Sequence, residues 1–148
     1  MTITQFPILD KKIVENLIPQ KFPFVMIDKL IAYEEGSVIA GLTVTIDNIF
    51  TSNAIFQESG LIEHMAQSVA IYTGYQYFLK NEPAPTGYIG SINGINIIKL
   101  PEINDQITTQ VVVLHEFMGV TLVEINSSVN GKIIATGKMK TVIAESNE

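Results

Sequence analysis

One long stretch without proline, residues 59–79, constrains the fold of this chain more than any other feature of its sequence. It reads S-G-L-I-E-H-M-A-Q-S-V-A-I-Y-T-G-Y-Q-Y-F-L and predicts a helix, with Ser59 as N-cap and with Pro83 and Pro85 soon after its end. At about 100° per residue, apolar side chains cover most of its circumference. A helix of this kind is normally buried, so the rest of the chain must cover it.

Polar residues interrupt this apolar surface along two lines. One line carries Glu63, Gln67 and Gly74, and the other begins with His64 and Ser68. A carboxylate near the start of a buried helix is costly unless a partner or a ligand needs it there. Glu63 is therefore the first candidate for a functional residue.

Length and composition indicate one folded domain, residues 1–148. The chain is 47% apolar and only 16% charged, with a net charge of −6 and no basic cluster, which disfavours binding to nucleic acid or to an anionic membrane. It has no cysteine, so disulfides and thiolate chemistry are excluded. Its N-terminus lacks the pattern of a signal peptide, and no apolar run is long enough to span a membrane. We expect a cytoplasmic protein.

The remaining sequence predicts one short helix and six strands. The helix is expected at residues 10–17 with Asp10 as its cap, and residues 47–58 are expected to form a loop. Strands are predicted as a hairpin at 25–33 and 38–46, and as a four-strand meander at 88–99, 106–117, 120–129 and 132–144. With no second layer of helices, a six-stranded antiparallel sheet must curl around the long helix to bury it. This predicts an α+β hotdog fold.

Three stretches resemble the 3-hydroxyacyl-acyl-carrier-protein dehydratases, which have this fold. Residues 18–30, I-P-Q-K-F-P-F-V-M-I-D-K-L, resemble the opening motif L-P-H-R-x-P-F-x-x-x-D-R-x of that family. Residues 60–70, G-L-I-E-H-M-A-Q-S-V-A, resemble its central-helix motif with the core E-x-x-A-Q, and residues 88–100 resemble the strand after that helix. Within the family, the chain looks closest to the dehydratase-like proteins of aryl-polyene and flexirubin-type pathways.

The resemblance implies a hydro-lyase of the type used in fatty acid biosynthesis. Its substrate would be an acyl thioester on acyl carrier protein or coenzyme A, and no cofactor is needed because side chains carry the proton transfers. The resemblance places Glu63 on the acidic catalytic residue, Gln67 on the glutamine one turn later, and Asp28 on a structural aspartate. The family's G-H-F-P-G loop before the helix has no histidine counterpart in residues 47–59, and Gln20 replaces the histidine of the opening motif.

Dehydration needs a base for the C2 proton, an acid for the leaving hydroxyl, and a donor for the thioester oxygen. We expect Glu63 to be the acid, although a structural role for this carboxylate is the alternative. The backbone N–H groups of Gly60 and Leu61, at the start of the helix, are candidates for holding the thioester oxygen. Gln67 could orient Glu63 through an i,i+4 bond or simply fill a polar position.

The remaining contacts to substrate are expected from aromatic and polar residues near the helix. Phe56, together with Phe50 and Ile55, is predicted to line an apolar tunnel for the acyl chain between the helix and a partner subunit. Gln20 is a candidate substrate-binding residue because of its place in the opening motif.

The base is left open by the sequence. His64 is the nearest candidate, but it lies about 100° round the helix from Glu63, and a packing role is favoured for it. His115 lies in mid-strand, where a solvated position is favoured. Either histidine could reach the site across a dimer interface. No histidine–carboxylate spacing indicates a metal site.

We expect a homodimer or an assembly of dimers, with residues 88–97 as an edge strand that pairs with its twin. Two alternative functions stay open. One is a hotdog acyl-thioesterase in which Glu63 activates water. The other is a non-catalytic acyl-binding subunit that pairs with an active dehydratase.

Overall fold

The structure of the chain is a computed structural model that describes residues 5–144. Its helices and strands follow one another as α1 (Lys11–Asn16), β1 (Lys29–Glu34), β2 (Ser37–Thr43), β3 (Thr51–Ser52), β4 (Ile55–Phe56), α2 (Glu58–Leu79), β5 (Gly87–Ile97), β6 (Gln106–Phe117), β7 (Val120–Val129) and β8 (Lys132–Ile143). The predicted positions of β6 and β7 coincide with the observed ones. The tight links after them, Met118-Gly119 and Asn130-Gly131, have positive φ at both residues, as such turns require.

Six strands form one antiparallel sheet in the order β1-β2-β6-β7-β8-β5, and α2 packs against it. This confirms the predicted α+β hotdog fold. The predicted four-strand meander is wrong in one respect, because β5 pairs with β8 while β6 pairs with β2. Buried and exposed side chains alternate along β6, as expected for a strand in the interior of the sheet with one face towards the helix.

Strand β5 is an edge strand with two interruptions. Its pairing with β8 shifts register between Ile89 and Ser91 and again between Asn93 and Asn96, at the positions of Gly90 and Gly94. The glycines therefore mark bulges. Pairing of this edge with a second copy stays a prediction.

Two segments differ from their predicted structure. Residues 25–28 are not part of β1, and side chains of α2 take both backbone hydrogen bonds of Met26 in place of a strand neighbour. The expected loop at residues 47–58 contains the small hairpin of β3 and β4, whose turn residues Asn53 and Ala54 have φ of 53° and 66°.

The two helices differ in how they begin. In α1 the side chain of Asp10 accepts a hydrogen bond from the Lys12 N–H at 2.9 Å, which confirms the predicted cap. The prediction of Ser59 as the cap of α2 is wrong, since the helix begins at Glu58 with Gln57 in the cap position. The Gln57 amide instead donates to the carbonyl oxygens of Ser52 and Ile55, so it fixes the preceding hairpin.

Helix α2 is buried along most of its length, as its sequence predicted. Its fully enclosed side chains include Leu61, Met65 and Ile71. Gly74 lies against α1 so closely that an added Cβ atom would overlap the carbonyl oxygen of Leu17. Within residues 5–144, no helix combines the length and the apolar character needed to cross a lipid bilayer.

The substitution Gly74→Ala should destabilise the protein by about 2 kcal/mol or more, because the clash with Leu17 outweighs the higher helix propensity of alanine. Urea unfolding gives the free energy directly. Gly87→Ala is the control, since an added Cβ atom there meets nothing closer than the Val142 oxygen at 3.8 Å. Equal stability of the two variants would contradict the close contact between α1 and α2.

Candidate active site

Glu63 lies in the second turn of α2 and borders a cavity of about 310 Å³. The helix side of the cavity is formed by Glu63, Ala66, Ala70 and Thr73, which share one face at helical spacing. The opposite walls come from residues 17–20, from the start of β5 and from the end of β8. This volume is at the lower end of the usual range for ligand pockets.

Small side chains create this space. Ala66 and Ala70 follow Glu63 on the same face of α2, and Gly74 lies one turn further on. A large side chain at Ala66 or Ala70 would occupy the cavity. The small residues that follow Glu63 at helical spacing are a signal of this cavity in the sequence itself.

The Gln67 side chain connects Glu63 to the segment before β1. Its Oε1 accepts a hydrogen bond from the Met26 N–H at 2.7 Å, and its Nε2 donates to the Phe24 oxygen at 2.8 Å. The same nitrogen donates to Glu63 Oε2 at 2.7 Å. The i,i+4 bond considered from the sequence is therefore present, and it holds the carboxylate at the edge of the cavity.

His64 points away from Glu63, into the core beneath the sheet. It is fully buried, and its Nδ1 donates to the Met26 carbonyl oxygen at 2.7 Å. Its Nε2 consequently accepts from the Thr109 hydroxyl at 2.7 Å, which also contacts the Ser127 hydroxyl at 2.6 Å. Burial lowers the pKa of His64 to about 4. These are the contacts of a neutral packing histidine, and His64 does not line the cavity.

Four other residues predicted to contact substrate also lie outside the cavity, namely Gly60, Leu61, Phe56 and Gln67. An added Cβ atom on Gly60 would come within 2.5 Å of Phe50 and 2.7 Å of the Phe56 ring, so this glycine serves aromatic packing. The Leu61 N–H donates to the Gln57 oxygen at 3.1 Å, and Phe56 is fully buried. The tunnel predicted from Phe56 and its neighbours does not coincide with the cavity beside Glu63.

Gln20 does line the cavity, together with Glu63. His115 is exposed and pairs with Leu122, which alternates with the buried Thr121 and Val123, so it lies on the outer face of the sheet. Both histidines of the sequence are thus outside the cavity.

Asp28 fixes the start of the sheet. Its Oδ2 accepts the Thr43 N–H at 2.9 Å, and its Oδ1 is paired with Lys29 Nζ at 2.7 Å. Within residues 5–144, no group of three or more His, Cys, Asp or Glu side chains is placed to hold a metal ion.

One protein-family model matches most of the chain. The model of the ApeP-like family, described as ApeP dehydratase, matches residues 12–147. The 3-hydroxyacyl-[acyl-carrier-protein] dehydratase FabZ of Ruminiclostridium cellulolyticum is 25% identical over 142 residues, which cover 89% of this chain and 95% of that protein. FabZ of Vibrio cholerae is 26% identical over 133 residues, 86% of each chain.

A solved structure, the dehydratase heterocomplex ApeI:P from Xenorhabdus doucetiae, superposes with a TM-score of 0.84. The superposition covers 97% of this chain and 94% of that chain at 18% sequence identity, so this likeness concerns the fold. A hypothetical thioesterase from Streptococcus pneumoniae, solved with coenzyme A, superposes with a TM-score of 0.63 at 11% identity over 80% of this chain and 90% of that one.

The substitution Gln67→Leu should lower the free energy of unfolding by about 3 kcal/mol, because it leaves the buried Met26 N–H and the Phe24 oxygen without partners. Chemical denaturation measures this loss. Gln76→Leu on the same helix is the control and should cost about 1 kcal/mol or less, because the Gln76 amide makes a longer bond, 3.4 Å, to the Tyr72 hydroxyl. If Gln67→Leu lowered the free energy of unfolding no more than Gln76→Leu does, the role of Gln67 in anchoring the backbone of Phe24 and Met26 would be contradicted.

The buried His64 should make stability depend on pH. Its pKa is about 4 in the folded protein against an ordinary value of 6.5, so the unfolded chain takes up the proton first as the pH falls. The neutral His64 makes its full contribution to the free energy of unfolding above pH 6.5, and this contribution is lost as the pH falls from 6.5 towards 4. We expect a loss of about 2 kcal/mol between pH 7 and pH 4.5 that His64→Gln does not show. If the free energy of unfolding fell equally with pH in the unchanged protein and in His64→Gln, this prediction would be wrong.

Proposed function

The chain belongs to the ApeP-like dehydratase family. We propose that it takes part in the dehydration of 3-hydroxyacyl thioesters and that it supplies the catalytic acid, one of the two groups that the reaction needs. The observation that carries this proposal is the Glu63 carboxyl group at the edge of a largely apolar cavity, held there by Gln67. The names of the FabZ relatives support acyl carrier protein as the carrier of the substrate.

The proposed reaction divides the proton transfers between two groups. A base removes a proton from C2, and the electrons of that bond form the C2–C3 double bond. The C3–O bond then breaks, and protonated Glu63 gives its proton to the departing hydroxyl, which leaves as water. The apolar residues Ala66, Val69 and Ala70 would contact the acyl chain along α2.

We propose that the base comes from a second subunit. Neither histidine of this chain lines the cavity, and Glu63 is the one charged side chain among the lining residues. The wall formed by Gly87, Tyr88 and Ile89 belongs to the edge strand β5, so a subunit paired along β5 would lie next to the cavity. Tyr88 and Ile89 are 62% and 46% exposed, which suits such an interface. The second subunit would be another copy, giving a cytoplasmic homodimer or an assembly of dimers, or a related hotdog chain.

A second candidate is a non-catalytic acyl-binding subunit of a dehydratase complex. The position of both histidines outside the cavity favours it. In that case the chain would bind the acyl group and its partner would carry the complete catalytic pair.

Glu63→Gln tests the proposal because it keeps the shape of the side chain and removes the acid. We expect dehydration of a 3-hydroxyacyl-acyl carrier protein to fall by about a hundredfold or more, measured as enoyl absorbance, for the chain alone or mixed with a hotdog dehydratase subunit. Glu58→Gln is the matched control, since Glu58 is exposed in the first turn of the same helix.

The outcomes separate the candidate functions. Activity of a complex that survives Glu63→Gln would overturn the catalytic role and favour the acyl-binding subunit. Release of free thiol without enoyl product would identify a thioesterase.

A further inference from the structure

Gln20 carries a polar atom that the protein itself does not satisfy. Its Oε1 is buried, and no hydrogen-bond donor among the described residues reaches it. Buried amide oxygens nearly always accept a hydrogen bond, since leaving one without a partner is unfavourable. Gln20 also lines the cavity beside Glu63. An unpaired acceptor at a ligand cavity therefore requires an explanation.

The backbone around Gln20 is held in place on both sides. Lys21 Nζ donates to the carbonyl oxygens of Glu15 at 2.9 Å and Ile18 at 3.3 Å, and the Phe24 N–H donates to the Lys21 oxygen at 2.8 Å. The amide is consequently presented by a fixed turn, which suits a group that positions a ligand.

The two glutamines near Glu63 differ in their contacts. Gln67 uses both its oxygen and its nitrogen within the protein. Gln20 stands instead in the cavity wall formed by residues 17–20, where its oxygen keeps an unused capacity to accept a hydrogen bond. An O–H donor suits this position, because an amide oxygen accepts hydrogen bonds and cannot donate them.

We infer that Gln20 recognises the hydroxyl group of the substrate. This inference rests on the proposed function, in which the substrate is a 3-hydroxyacyl thioester. A hydroxyl donates one hydrogen bond and accepts others. Gln20 Oε1 accepts the hydrogen of the 3-hydroxyl, and this leaves a lone pair of the hydroxyl oxygen free to take the proton of Glu63. Gln20 is thus the residue that distinguishes hydroxylated from saturated acyl thioesters.

The test compares binding of 3-hydroxyoctanoyl and octanoyl N-acetylcysteamine thioesters by calorimetry. It uses Glu63→Gln protein, so that the hydroxylated thioester is not consumed. We expect about a tenfold preference for the hydroxylated thioester, the size of one net hydrogen bond. Adding Gln20→Leu should abolish the preference, whereas adding Thr73→Val, on the helix side of the same cavity, should retain it.

The outcomes are distinct from those of the activity assay. A preference that survives Gln20→Leu, or equal binding of both thioesters by the protein that retains Gln20, overturns the inference. A preference that depends on Gln20 supports it even if no complex dehydrates the substrate, in which case the reaction assignment alone fails.

Thermal unfolding without ligand gives a second readout. Removing an unsatisfied buried amide with Gln20→Leu should raise Tm by about 3 °C, whereas loss of a structural hydrogen bond would lower it. A lower Tm would show that the Gln20 amide stabilises the folded protein without ligand and would overturn the inference.

Discussion

The hydrogen bonds of the Gln67 side chain are the interaction on which the rest of the site depends. They bind the backbone of Phe24 and Met26 to α2 and fix the Glu63 carboxylate with the same amide. His64 adds a bond to the carbonyl oxygen of Met26. Helix side chains therefore satisfy the backbone groups of Phe24 and Met26 that have no neighbouring strand to bond to.

Consecutive residues of α2 serve different purposes because a helix turns by about 100° per residue. Glu63 faces the cavity, while His64 faces Thr109 and Ser127 in the core. Because its pKa is low, His64 stays neutral, so the hydrogen-bonded side chains of His64, Thr109 and Ser127 in the core carry no charge. The one helix thus supports a tightly bonded interior on one side and an open apolar cavity on the other.

The sequence predicted those features that depend on local pattern. The long helix, the strands β6 and β7, and the cap at Asp10 follow from periodicity and from nearby turn residues. The bond between Glu63 and Gln67 also spans one helical turn. The conformation of residues 25–28 could not be predicted in this way, because Met26 and Gln67 are separated by 41 residues.

The order of the strands and the walls of the cavity also depend on contacts between residues that are far apart in the sequence. The cavity brings together α2, residues 17–20 and the ends of β5 and β8, so its depth and lining emerge only when the strands are ordered. Gln20 was a candidate by resemblance alone, and its buried oxygen became visible only in three dimensions.

The bulges in β5 affect which chains can associate with this protein. An uninterrupted apolar edge can template further strands and seed fibres. Here the register shifts around Gly90 and Gly94 break the regular row of backbone groups. A second strand must match these irregularities to pair along the full edge, so the geometry admits a complementary neighbour and discourages open-ended polymerisation.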